Sequence, residues 1–315
     1  MQIIEEQAPA KLNLGLNFDP NVEKLADGRK LHKVSSPAVT LKLHNKFVFT
    51  EPKTDKIEVV INTQDPWILA NMSKLTGPEG NCWKTVVFLQ KQIGKNLPIR
   101  MEIEYNLPLS GGLGGSAADM AAILRGLNRF YNLKYTLNDL AKLGHSLGSD
   151  VPFCVYNYPY AHMGGTGEII KEIKSNALQG YQIVLVLPTI DIPLSKTKSA
   201  FEAYDKNAYI LPHDSINEGF SNFELMLEAG IFNIDLLCNC FLLTDIPWRN
   251  EVLEIMNALR ESNNPFDYIG MAGAGPTVFG IIDPMEFCMG DLPENIKFKN
   301  KKIPLKYIKT SVLNQ

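Results

Sequence analysis

An α+β fold in two domains is what the sequence predicts, and three observations lead there. The first half opens with stretches in which apolar and polar residues alternate, the pattern of half-buried strands. Segments of helical spacing interrupt those strands and follow them. After the polar stretch "KSNALQG" a fresh apolar strand begins near residue 180, which divides the chain into an N-terminal domain, 1–178, and a C-terminal domain, 179–315. At 315 residues the chain is long enough for two such cores.

The strands of the first half are expected at "KLNLGLNF" (11–18), "AVTLKLHNKFVFTE" (38–51), "KIEVVIN" (56–62) and "IRMEIEYN" (99–106). Between them "NCWKTVVFLQKQIG" (81–94) has helical spacing and ends at Gly94, a stop signal. Met120, Ile123, Leu124, Leu127, Phe130 and Tyr131 recur at three and four residues, so 117–132 reads as one amphipathic helix. A second helix is expected over 136–148, capped by Thr136 and closed by Gly148. It should not continue through Val151, because Pro152 disfavours the α region before it.

In the second half "GYQIVLVLP" (180–188) reads as a strand and "KTKSAFEAYDK" (196–206) as a helix. Further helices are expected near 220–229 and 249–261. "YIGMAGAGPTVFGII" (268–282) reads as a strand with a glycine break, and the chain closes on a basic stretch.

Composition narrows the function. Lys and Arg number 31 against 34 Asp and Glu, a net charge of −3, and no long run of one sign offers an arm for nucleic acid or an anionic membrane. Five cysteines, none at CxxC or zinc-finger spacing, suit a reducing compartment. The beginning of the sequence has an acidic pair where a signal peptide would be basic, and no apolar run is long enough for a membrane span. The expectation is a cytoplasmic protein that binds neither nucleic acid nor membrane.

The chemistry concentrates in "NLPLSGGLGGSAADMAA" (106–122), where Gly111, Gly112, Gly114 and Gly115 run into a helix. Glycines that feed a helix N-terminus make an anion site, because free amides converge there and the helix dipole favours negative charge. Phosphate is the natural occupant. The spacing fits neither a Walker A loop nor GxGxxG. Ser116, taken to lie just before the helix, could cap its first turn or reach a metal or a phosphate oxygen.

Pro108, Gly112, Leu113, Gly114, Gly115 and Ser116 together resemble the phosphate loop of the GHMP kinase superfamily. "APAKLNLGL" (8–16) and "GMAGAGPTVFG" (270–280) resemble its two flanking motifs in the right order. Within the superfamily, "PAKLNLGL", "LGSDVPFCV" (147–155) and "GTGEII" (165–170) are similar to the 4-diphosphocytidyl-2-C-methyl-D-erythritol kinases of non-mevalonate isoprenoid synthesis.

The resemblance implies a two-domain GHMP kinase fold, with a ribosomal-protein-like N-terminal domain, a ferredoxin-like C-terminal domain and the active site in a cleft. It also implies an ATP-dependent kinase using magnesium on a cytidine diphosphate-linked methylerythritol, as a monomer or weak homodimer. ATP would lie along Pro108, Leu109, Ser110, Gly111, Gly112, Leu113, Gly114, Gly115, Ser116, Ala117 and Ala118. Asp150 would take the hydroxyl proton, and Lys11 would steady both Asp150 and the substrate oxygen.

Asn13, two residues beyond Lys11, should share its strand face and bond the substrate. Gly273 and Gly275 should let backbone approach the phosphates or substrate. For the cytosine the family uses Asp-Gly-Tyr/Phe-His; "ADGRKLHKVSS" departs from it, aligning Leu31 with the aromatic residue and His32 with the histidine. Thr197 and Phe201 would supply the opposite wall from one helical face. Other readings left open are a kinase of another alcohol, such as homoserine or mevalonate, a decarboxylase of the same superfamily, and a non-catalytic protein that binds nucleotide or RNA.

Overall fold

The structure, a computed structural model, describes residues 2–193 and 195–314. The strands β1 (Ile4–Asn13), β2 (Asn17–Lys24), β3 (Lys30–Thr50) and β4 (Glu58–Asn62) precede the helices α1 (Pro66–Ala70), α2 (Met72–Thr76) and α3 (Asn81–Ile93). Then β5 (Arg100–Glu104) runs through the glycine loop into α4 (Gly115–Phe130), α5 (Leu137–His145) and α6 (Val151–Tyr156). The remainder is β6 (Tyr160–Gly164), β7 (Ile169–Glu172), β8 (Gln182–Pro188), α7 (Lys196–Asn207), α8 (His213–Glu228), α9 (Arg249–Arg260), β9 (Tyr268–Met271), β10 (Val278–Ile282), β11 (Asn295–Phe298) and β12 (Lys301–Thr310).

The chain separates into two units that interleave along the sequence. The first holds Met1–Lys11, Leu43–Leu109 and Gly114–Asn157; the second holds Leu12–Lys42, Ser110–Leu113 and Tyr158–Gln315.

In the first unit β4 lies parallel to β5, and β5 lies antiparallel to the end of β3, with Phe47 opposite Ile103. Apolar faces of α3, α4, α5 and α6 pack on one another, with α4 against the sheet, and Phe47, Phe49, Val86, Met101, Ile123, Leu127, Leu140 and Phe153 are buried. Burying aliphatic and aromatic side chains of this size stabilises by roughly 1.5–3 kcal/mol each before entropy is counted. The contact of α4 with the sheet is close because residue 126 is glycine: a Cβ there would run into the Phe49 ring. Gly94 ends α3 in the left-handed region, φ 64°, and Thr136 caps α5 in a reciprocal box with Asp139.

In the second unit the start of β3 pairs with β2 across a bulge and with β6, which turns back into β7. A separate antiparallel sheet has the order β11-β12-β8-β10-β9. Within it β12-β8-β10-β9 is a ferredoxin-like order, with β11 added at the edge. Packing of α9 on β9, β10 and β11 buries Val184, Val186, Val252, Ile255, Leu259, Val278 and Ile282. No helix among the described residues is long and apolar enough to cross a membrane.

Several expectations are corrected. The strand over 11–18 is two strands, because Leu14 and Gly15 turn their amides to Pro37 O while the Ser36 hydroxyl donates to Gly15 O. The helix over 136–148 ends at His145, and the backbone at Val151 is helical after all: it opens α6, whose first turn accepts Pro152 since a proline there forfeits no intrahelical bond. The helix near 220 starts earlier, at His213, and the glycine break in 268–282 reverses the chain, so β9 and β10 are antiparallel partners. Ser116 lies inside the first turn of α4, whose N-cap is Gly114, so its hydroxyl caps nothing.

Candidate active site

In the first unit, the buried run Ala8 to Lys11 of β1 carries Lys11 into the interior at 4% exposure. A lysine so placed needs a partner. Its Nζ donates to Asp150 Oδ1 at 2.6 Å, and the Asp150 side chain remains 41% exposed. Asp150 occupies the N-cap position of α6, yet its carboxylate does not cap that helix. One oxygen is held by the ammonium and the group still reaches solvent, the arrangement a proton acceptor requires.

Arg125 of α4 fixes this geometry. It donates to Gln7 O on β1 at 2.7 Å and to Cys154 O on α6 at 2.6 Å, and pairs with Glu6 at 3.1 Å. One guanidinium fork thus ties together the strand that bears Lys11, the helix that follows Asp150 and the helix that follows the glycine loop. Nothing in the local sequence singles Arg125 out, since Arg129 is a second cation in the same amphipathic helix.

The approach to the loop is held by a second buried network. Asn45 Oδ1 accepts the amides of Asn106 and Leu107, both at 2.8 Å, and its Nδ2 donates to Asp119 Oδ1 at 2.8 Å. Tyr105 donates to the other oxygen of Asp119 at 2.9 Å. Burial pushes the Asp119 carboxyl up to about 7, against the opposing pull of the Asn45 and Tyr105 hydrogen bonds. Asn45, Tyr105 and Asp119 are positional residues that sequence reasoning passed over.

The loop itself needs its glycines where the backbone is left-handed. Gly114, φ 67°, begins α4, and a Cβ there would sit 3.2 Å from the Lys11 Cβ. The first-turn amides of α4 therefore start beside the lysine with no side-chain cap from Gly114. Ser116 accepts a 3.3 Å hydrogen bond from Asn81.

The second unit contains the other half of the loop, Ser110–Leu113. Gly112, φ 81°, lies so close to the turn between β9 and β10 that a Cβ would collide with Ala272 O and come within 3.1 Å of Gly275 O. A Cβ on Gly273, φ 53°, would be 2.8 Å from Gly112 O. Gly112 and Gly273 thus bring loop and turn together by backbone contact that a side chain would block, while a Cβ on Gly275 would run into Met271 and Trp248.

That turn is braced from behind. Asn239 Nδ2 donates to Met271 O and Gly273 O at 3.0 and 2.9 Å, and Trp248 donates to Ala274 O at 2.9 Å. The buried ammonium of Lys196 donates to Ser110 O at 2.6 Å and also to Gly275 O. Asn13 is buried, donates to Ser36 Oγ at 2.7 Å, and its Oδ1 faces Gly273.

His32 and Phe201 meet directly, their rings parallel with centroids 5.4 Å apart, inside a cluster with Phe18, Tyr204 and Phe241. Both nitrogens of His32 are engaged, one 2.7 Å from Asp19 O and the other 2.9 Å from Asp205 Oδ1. Two rings already in stacking contact leave no slot for a third between them. Thr197 is exposed one position into α7 from Lys196.

Comparison with known proteins is consistent with this geometry. The family model for the GHMP kinases N terminal domain matches residues 81–158. The chain is 31% identical over 287 residues to the 4-diphosphocytidyl-2-C-methyl-D-erythritol kinase of Lactiplantibacillus plantarum, covering 89% of each. It is 28% identical over 284 residues to that of Bacillus licheniformis, covering 89% of this chain and 88% of the relative. Among solved structures, a 4-(cytidine 5'-diphospho)-2C-methyl-D-erythritol kinase superposes with TM-score 0.61 at 23% identity, over 88% of this chain and 90% of the other. The Methanococcus jannaschii mevalonate kinase superposes with TM-score 0.64 at 15% identity, over 99% and 98%. At those identities the superpositions speak for the fold.

Proposed function

The chain belongs to the family of 4-diphosphocytidyl-2-C-methyl-D-erythritol kinases within the GHMP kinases, and on that premise we propose how its residues transfer a phosphoryl group from ATP to the 2-hydroxyl of 4-diphosphocytidyl-2-C-methyl-D-erythritol. The observation that carries the reading is the Lys11–Asp150 pair, 2.6 Å apart, beside the left-handed Gly114 that opens α4.

Pro108 to Ala118 hold the triphosphate, with the first-turn amides of α4 donating to its oxygens. Asp150 takes the proton of the substrate hydroxyl on the carboxylate oxygen that Lys11 does not hold. The hydroxyl oxygen forms its bond to the γ-phosphorus as the bond from that phosphorus to the β,γ-bridging oxygen breaks, and ADP leaves. The Lys11 ammonium supplies positive charge where the hydroxyl becomes an alkoxide, at no cost of reorganisation because it is already buried and fixed.

Magnesium would neutralise phosphate charge. Ser116, in the first turn of α4, is the hydroxyl that would reach it, and no group of three or more His, Cys, Asp or Glu among the described residues would hold the ion unaided. Asn13, Gly273 and Gly275 position the alcohol, and His32, Thr197 and Phe201 form the wall for the cytidine. With His32 against Phe201, the base stacks on the outer face of that pair or parts it. The enzyme works in the cytoplasm as a monomer or weak homodimer.

The test is product analysis by phosphorus NMR after incubation with magnesium, ATP and, separately, the cytidine substrate, homoserine or mevalonate. A new phosphate monoester on the cytidine substrate alone is the expected result. Phosphorylation of homoserine or mevalonate in its place would move the assignment to another alcohol, and ATP binding without product would favour the non-catalytic reading.

A further inference from the structure

Lys196 is a cation that the phosphoryl-transfer chemistry does not use, and it is placed where a surface lysine would not go. It opens α7, and of the two lysines in that first turn Lys198 is exposed, within 3.8 Å of the exposed Glu202, whereas Lys196 is buried. Its ammonium meets oxygen from two separate stretches of backbone, Ser110 in the glycine loop and Gly275 in the turn between β9 and β10. Both residues are left-handed, at φ 54° and 75°. For Ser110 that conformation has a steric cost that something must offset. Burial alone moves the ammonium, down to about 8, and no carboxylate contributes.

We propose that Lys196 is a positioning residue for the phosphate loop: by bridging Ser110 O and Gly275 O it holds the Ser110–Leu113 half of the loop in its anion-ready shape before nucleotide arrives. The inference rests on reading Pro108 to Ala118 as the triphosphate site. Carbonyl oxygens gathered at the mouth of an anion site would otherwise repel phosphate, and the ammonium masks two of them while adding a charge of the right sign. Because the bridge forms without nucleotide, its energy serves binding and the chemical step alike, so its loss appears in KM more than in kcat.

The experiment compares the wild type with K196M, which keeps the length and apolar bulk of the side chain and removes both hydrogen bonds. Hydrogen exchange is followed without nucleotide in fragments covering 108–113, and steady-state kinetics with ATP varied give the second readout. The expected results are faster exchange in that segment and a KM for ATP raised on the order of tenfold, against a much smaller change in kcat. Unchanged exchange in 108–113, or a kcat that falls with KM unmoved, would overturn the proposal, since a merely structural lysine alters the amount of active enzyme and not its affinity. If K196M does not fold, K196Q, whose shorter and neutral side chain cannot span both carbonyls, takes its place with the same outcomes. The exchange readout needs no turnover, so a wild type that phosphorylates nothing would refute the kinase reading while leaving the role of Lys196 decided.

Discussion

Asp119→Asn should remove a pH dependence of stability that the wild-type protein carries. Asp119 is buried against Asn45 and Tyr105, and its carboxyl is raised from 3.8 to about 7, chiefly by desolvation. The folded state therefore binds more protons than the unfolded state between those two values, and stability falls as pH rises through that window. Its contribution is fully present below 3.8 and lost above about 7, an overall change of roughly 4 kcal/mol. Between about pH 5 and about pH 8 the loss is roughly 2–3 kcal/mol.

Asparagine keeps the acceptor for Asn45 Nδ2, and the Tyr105 hydroxyl can turn to accept from the new amide, so the loop approach at Asn106 and Leu107 survives. Urea unfolding at the two pH values, in both proteins, measures the difference. The wild type should lose roughly 2–3 kcal/mol more than the variant on going to the higher pH. Equal pH slopes would mean that Asp119 titrates like an ordinary carboxylate and that the argument from burial fails.

Other perturbations test separate links. Gly112→Ala asks the loop for a Cβ where φ is 81° and Ala272 O blocks it; the conformational cost alone is about 1–2 kcal/mol, and calorimetric affinity for ATP should fall at least tenfold. Arg125→Met severs the brace between β1, α4 and α6 and leaves Glu6 without that partner, so urea unfolding should show a loss of about 3 kcal/mol together with a lower kcat. Phe201→Ala opens the wall against His32; KM for the cytidine substrate should rise with KM for ATP unmoved, and a parallel rise in both would dissociate the ring from the cytidine.

What the sequence made legible follows from how local each signal is. The glycine loop, α3, α4 and the cap at Thr136 are written in adjacent residues, and the structure places them within a few positions of expectation. Lys11 and Asp150 lie far apart in the chain, and only the family motifs linked them; their spacing carries no such information. The start of α8 was hidden because "HDSINEG" is polar, although Ile216, Phe220, Phe223 and Leu227 form its buried stripe.

The basic C-terminal stretch was read for charge alone. Its period of two, with Ile303, Leu305 and Tyr307 inward and Lys302, Pro304 and Lys306 outward, is what makes the first part of β12. Arg125, Asn45, Asp119 and Lys196 escaped because a positioning residue is defined by what it reaches across the fold. The direct stacking of His32 on Phe201 was likewise invisible, since it depends on where α7 packs against β3 within the second unit.

The central claim is that Asp150, held by Lys11, receives the proton as phosphate is transferred. Its most direct test is single-turnover phosphorylation of 4-diphosphocytidyl-2-C-methyl-D-erythritol by the wild type and by Asp150→Asn, with ATP and substrate both saturating. The account predicts a rate constant lower by about 100- to 10,000-fold in the variant, with affinities for both ligands nearly intact. A variant that turns over within a few fold of the wild type would contradict it.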